Sequence, residues 1–179
     1  MKLSFRNKRA GFSILEVVIS LFVLSIGFLG VSNLVVTTLR NDFLSRDAVI
    51  ASLLVQEGAE LVYNIRDTNV AKNGEDRAFD GIGSGSYRID AFDTNPSLSG
   101  CSQYESCRLS LVEEKYRMHG GNRTRFSRKI LVSEDADVRH VTSVVAWDPE
   151  RGFPETIGAA TCNLATRCSF VQLDLQKIN

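Results

Sequence analysis

The sequence predicts an α+β fold: one long N-terminal helix, its first half membrane-spanning, packs its second half on an antiparallel β-sheet head. Three observations predict it. Residues 12–36 are apolar apart from one ionisable side chain, residues 39–65 repeat apolar side chains at helical spacing, and short alternating runs bounded by turn residues follow from residue 85. The 179 residues allow one domain with an appendage, and a composition of 44% hydrophobic and 23% charged residues with 3 Pro excludes a disordered or low-complexity chain. Lys+Arg 21 and Asp+Glu 21 balance to zero formal charge, which removes the overall basic excess of a dedicated nucleic-acid coat.

The first element justifies the membrane reading. From Phe12 to Val36 the chain reads FSILEVVISLFVLSIGFLGVSNLVV, 25 residues in which Glu16 is the sole ionisable group, and Arg40 is the next charge. As a helix this run is about 37 Å long, enough to cross a hydrocarbon core of about 30 Å with some tilt. Lys2, Arg6, Lys8 and Arg9 precede it and hold that end in the cytoplasm, so the C-terminal part is exported. The run is longer than the apolar stretch of an ordinary signal peptide and lacks its small-residue exit, so any cut belongs before the apolar run.

The junction itself is specific. Lys8-Arg9-Ala10-Gly11-Phe12-Ser13-Ile14-Leu15-Glu16 resembles the processing site of type IV prepilins and pseudopilins. The resemblance implies that a prepilin peptidase cuts after Gly11, that the same enzyme N-methylates Phe12, and that Glu16 is the acidic residue at the fifth mature position. The physics agrees with a paired role for Glu16: an ionised carboxylate this far into a membrane helix costs on the order of a few kcal/mol unless partnered. The first-turn helix dipole offers only about 0.3–1 kcal/mol. In the family, the new amine on a neighbouring subunit supplies the partner and sets the axial stagger. Many pilins carry a proline in this half of the helix, whereas this chain has Gly27, Gly30, Ser32 and Asn33 and no proline.

Beyond the span, Leu39, Phe43, Ile50, Leu54, Leu61 and Ile65 form one apolar stripe on a helix that turns amphipathic. With no Pro from Phe12 to Asp67, one helix of about 55 residues is expected, ended by Thr68-Asn69 and the polar stretch after it. The organisation read here is a basic leader over 1–11, a membrane or filament-core half over 12–39, an amphipathic half over 40–67 and an exported β-rich head over 68–179. A long spine of this kind is the shape the pilin resemblance implies. The stretch Gln56 to Asp67 is further similar to one in PilV-like prepilin-type proteins.

Strands are expected at Tyr87–Phe92, Arg108–Tyr116, Arg125–Val132, Val138–Trp147 and Phe170–Leu175, with a turn at Gly120-Gly121-Asn122 and a stop at Trp147-Asp148-Pro149. Cys101, Cys107, Cys162 and Cys168 permit three pairings. An exported head favours disulfides, with the local pairs Cys101 to Cys107 and Cys162 to Cys168 preferred and crossed pairing the competitor. Each local loop contributes about 2 kcal/mol on the chain-entropy model. Arg123, Arg125, Arg128 and Lys129 are the densest basic cluster, a candidate DNA-phosphate contact weighed below a solvated or salt-bridged strand face. His119 and His140 have no nucleophile motif beside them, and Asp90, Asp93 and Asn95 lack EF-hand spacing.

Together these readings describe no enzyme, cofactor or metal protein. The resemblance implies a minor pilin or pseudopilin, anchored in the bacterial inner membrane and then assembled into a type IV pilus or type II secretion pseudopilus. Its expected partners are other pilin subunits, the prepilin peptidase and N-methyltransferase, the assembly platform, and membrane lipid before assembly. A tip or competence pilin that holds DNA or a surface through the basic cluster is the alternative.

Overall fold

A computed structural model of the chain describes residues 13–92, 98–135 and 138–176. It divides into two compact units at Phe43 and Leu44. Helix α1, Ile14–Asn73, contributes its residues up to 43 to the first unit and the remainder to the second.

Within the second unit, residues 44–73 of α1 pack on a seven-stranded antiparallel sheet. The strands are β1 Gly85–Arg88, β2 Ser99–Gly100, β3 Arg108–Val112, β4 Lys115–Arg117, β5 Asn122–Asp135, β6 Val138–Ala146 and β7 Cys168–Gln176. The 14-residue β5 organises them. One edge of β5 pairs with β6 from Ser127↔Ala146 to Asp135↔Val138, and β6 continues to β7 from Val138↔Gln176 to Ala146↔Cys168. The other edge of β5 is shared by β3 near its start and β1 near its end, which carry β4 and β2 respectively.

The period-2 alternation of β5 and β6 directs Phe126, Arg128, Ile130 and Val132, with Val141, Ser143 and Val145, toward the helix. Two apolar clusters result. Ala51, Leu54 and Val55 meet Leu109, Met118, Phe126, Val145 and Trp147, whereas Val62 meets Ile82, Ile89, Ile130, Val132, Val141 and Leu175. Gly58 lies on the helix between them. A Cβ there would sit 2.5 Å from Ser143 Oγ and 3.0 Å from Arg128 Cδ, so only glycine permits this approach of helix to sheet.

Several sequence expectations are corrected. The buried face of α1 is Ala51, Leu54, Val55, Gly58, Ala59, Val62 and Arg66; of the expected stripe only Leu54 is fully buried. Ile50, Leu61 and Ile65 flank the contact, and Leu39 and Phe43 are exposed. Small residues face the sheet because close approach of the backbone buries more than large side chains held at a distance. The helix also runs six residues past Asp67. Asn69 does not break it: its carboxamide donates to Ala78 O at 3.2 Å and Asp80 O at 2.8 Å, tying the last turns to the 3₁₀ turn at Glu75–Arg77. Gly74, at φ 84°, makes the stop.

In the sheet, the run expected as one strand over Arg108–Tyr116 is the hairpin β3–β4, turning at Glu113 and Glu114 with φ of 49° and 65°. The first expected strand begins at Gly85 and stops at Arg88. Past it, Asp90 redirects the chain by accepting from the amides of Phe92 at 3.0 Å and Met118 at 3.2 Å.

Candidate assembly surface

In the first unit every Leu, Ile, Val and Phe from Ile14 to Val36 is between 46% and 84% exposed. The helix of which they form the first half is long and apolar enough to cross a membrane. Four of its hydroxyl groups are handled internally. Ser20, Ser25, Thr37 and Thr38 each donate to the carbonyl four residues earlier, Glu16 O, Leu21 O, Asn33 O and Leu34 O, at 2.5 to 2.9 Å. Bonds of this type remove the cost of carrying hydroxyls into an apolar medium.

Glu16 is handled differently. It lies in the first turn of α1, where its amide donates to Ser13 O at 3.0 Å, and its side chain is exposed. Among the described residues nothing pairs with its carboxylate. Leu15, Ile19, Val23 and Leu24 join it in lining an apolar groove of about 620 Å³. A carboxylate flanked by such side chains in lipid or in a bundle of helices requires a cation from outside the described chain. Gly11 and Phe12, the expected cleavage and methylation residues, lie outside the described residues.

In the head, Cys101 joins Cys107 and Cys162 joins Cys168, with Cα separations of 5.6 and 4.8 Å. All four cysteines are buried. Tyr104, inside the first loop, meets the Phe153 ring with centroids 5.9 Å apart, and Phe153 packs against the cluster that holds Cys162 and Cys168. The Tyr104 hydroxyl donates to Arg125 O, and Ser127 Oγ donates to Tyr104 O at 2.6 Å. Desolvation pushes the Tyr104 phenol up to about 12.

The basic cluster does not form one surface. Arg128 is 1% exposed and faces the helix: its guanidinium pairs with Glu57 at 3.1 Å and donates to Leu54 O at 3.3 Å and Ile89 O at 2.8 Å. It cannot reach a phosphate, which corrects its place in the candidate DNA contact. Burial lowers its pKa, opposed by the Glu57 carboxylate. Arg123 pairs with Glu105 at 3.1 Å and Arg125 with Asp47 at 2.8 Å, both remaining exposed. Lys129 lies 4.4 Å from the Phe153 ring centroid, and burial lowers its pKa. His140 Nδ1 sits 2.6 Å from Asp174 Oδ1 across β6 and β7. Sequence reading missed the Arg128 lock, although the signal was present: Phe126, Ile130 and Val132 share its parity on β5, so Arg128 belongs to the inward set.

Compared with known protein families, residues 6–32 match the prokaryotic N-terminal methylation motif. No curated protein and no solved structure matches the chain.

Proposed function

We propose that the chain is a structural subunit, a minor pilin or pseudopilin, of a type IV pilus or a type II secretion pseudopilus. A prepilin peptidase removes residues 1–11 and methylates Phe12; the subunit then waits in the inner membrane with its head exported. It joins the filament through the assembly platform by burying the first half of α1 among other subunits. It performs no chemistry of its own.

The observation that carries this reading is Glu16: an exposed carboxylate in the first turn of a helix whose first half is apolar and exposed, five residues past Gly11 in a matched methylation motif. Cleavage after Gly11 creates an amine at Phe12, and in a parallel neighbour displaced by about four residues, roughly 6 Å, that amine meets Glu16. The pair stabilises side-by-side packing and offsets the cost, on the order of a few kcal/mol, of either charge alone in an apolar medium. The apolar side chains drive withdrawal from lipid only through packing, since lipid is as apolar as they are, so the charge pair supplies the register.

The test is Glu16→Gln in a host that assembles filaments, with the chain quantified in sheared filaments and in membranes. We expect membrane levels to hold while filament incorporation falls by about tenfold or more, the loss that follows from removing one charge of a desolvated pair. Undiminished incorporation contradicts the proposal.

A further inference from the structure

The second half of α1 has a second face. On the side turned away from the sheet, Arg46, Val49, Leu53, Gln56, Glu60, Tyr63 and Asp67 follow one another at spacings of 3, 4, 3, 4, 3 and 4, and all seven are exposed. This is a heptad seam left exposed by its own chain. Val49 and Leu53 are each 60% exposed and Tyr63 47%, more apolar surface than a solvated helix face needs.

Its charges are arranged with one sign at each end. Arg46 forms no ion pair among the described residues, though its charge is felt by Tyr116. Glu60 forms none either, and it lines a groove of about 430 Å³ with Tyr63, Asn64 and Asp67. Asp67 is held in place by Arg66 at 3.2 Å, and the Arg66 guanidinium also lies 5.2 Å from the Tyr63 ring centroid. The groove offers two carboxylates and an aromatic ring, groups that suit a guanidinium.

We infer that this seam packs against the same seam of a second copy of the chain, parallel and displaced by two heptads, with Arg46 of one copy in the groove at Glu60 of the next. The inference rests on the filament reading above, which makes neighbouring copies parallel. Register then follows from charge. With no displacement Arg46 opposes Arg46 and Glu60 opposes Glu60; a one-heptad displacement sets Glu60 against Asp67. A two-heptad displacement sets Arg46 against Glu60, Val49 against Tyr63 and Leu53 against Asp67, so that it alone brings opposite charges together and opposes no like charges. Two heptads are 14 residues, an axial offset of about 21 Å. This contact belongs to a different neighbour from the one whose amine meets Glu16.

The test uses the full chain in a filament-forming host. Arg46→Glu and Glu60→Arg each lower incorporation into filaments by about tenfold, as like charges in an interface do, and the double exchange restores it. Both residues are exposed, so the heads still fold, which is read from their intact disulfides. In parallel, copies carrying Arg46→Cys and copies carrying Glu60→Cys are co-expressed with different tags. Oxidised filaments yield a dimer bearing both tags, whereas two differently tagged copies that both carry Arg46→Cys yield none. Unchanged incorporation of both reversals, or a mixed-tag dimer that never forms while Glu16→Gln still lowers incorporation, overturns the seam and leaves the filament reading standing. Absence of the unaltered chain from filaments overturns both.

Discussion

Arg128 shows how one side chain decides the relation of helix to sheet. Its three partners lie on α1, on α1 again, and just past β1, so the guanidinium closes the seam between the two apolar clusters where Gly58 leaves room. Arg128→Ala removes the donor to Leu54 O and Ile89 O, leaves Glu57 without its cation and opens a void. Chemical unfolding of the detergent-solubilised chain is expected to show a loss of about 3 kcal/mol, toward the low end for broken buried pairs because Glu57 is partly solvated. Tyr104 carries a different signature. Its folded pKa of about 12 exceeds the value of 10.0 in the unfolded chain, so the folded state holds the proton longer and its contribution, complete below pH 10, is lost as pH rises toward 12. Tyr116 is shifted in the same direction. Lys129 has the opposite sign, its lowered pKa adding stability as pH approaches 10.5 from below. Unfolding free energies measured from pH 9 to 12 should therefore fall above pH 10.5, and the fall should be shallower in Tyr104→Phe.

At the scale of elements, the turn between β3 and β4 carries an unfavourable local sequence. Two successive glutamates occupy positive φ, where Asn-Gly is the preferred pair. Replacing Glu113 by Asn and Glu114 by Gly should raise thermal stability, by about 0.5–1 kcal/mol for each relieved residue, without altering the register from Ser110↔Arg117 to Val112↔Lys115. A lower melting temperature in that variant contradicts the turn assignment. The same turn marks a limit of sequence reading. Apolar alternation gave away a strand over residues 108–116, yet nothing in Glu-Glu announces a reversal, because the conformation is imposed by pairing on either side. Asn69 misled in the opposite direction: its type signals a helix end, and its carboxamide serves a tertiary contact instead. The long strands β5, β6 and β7 were legible within two or three residues because β-branched and apolar residues recur along them between turn signals.

For the whole molecule, the two units obey different rules. The head closes its own core with a helix face, a seven-stranded antiparallel sheet and two disulfides. The first half of α1 buries none of its large apolar side chains, and Ser20, Ser25, Thr37 and Thr38 donate within the helix. The charge-poor run and the amphipathic one after it were visible in the sequence, and Glu16 stood out because it is the one ionisable group in the first. The packing face of the helix was not plain. Hydrophobic periodicity weights large residues, whereas Ala51, Gly58 and Ala59 are buried because they are small. The most direct test of the whole account is the intact mass and N-terminal sequence of the chain recovered from purified filaments. A chain that begins at Phe12 with one added methyl group is the predicted result; a filament-associated chain that still carries Met1 to Gly11, or no chain in filaments from a host with active peptidase, contradicts it.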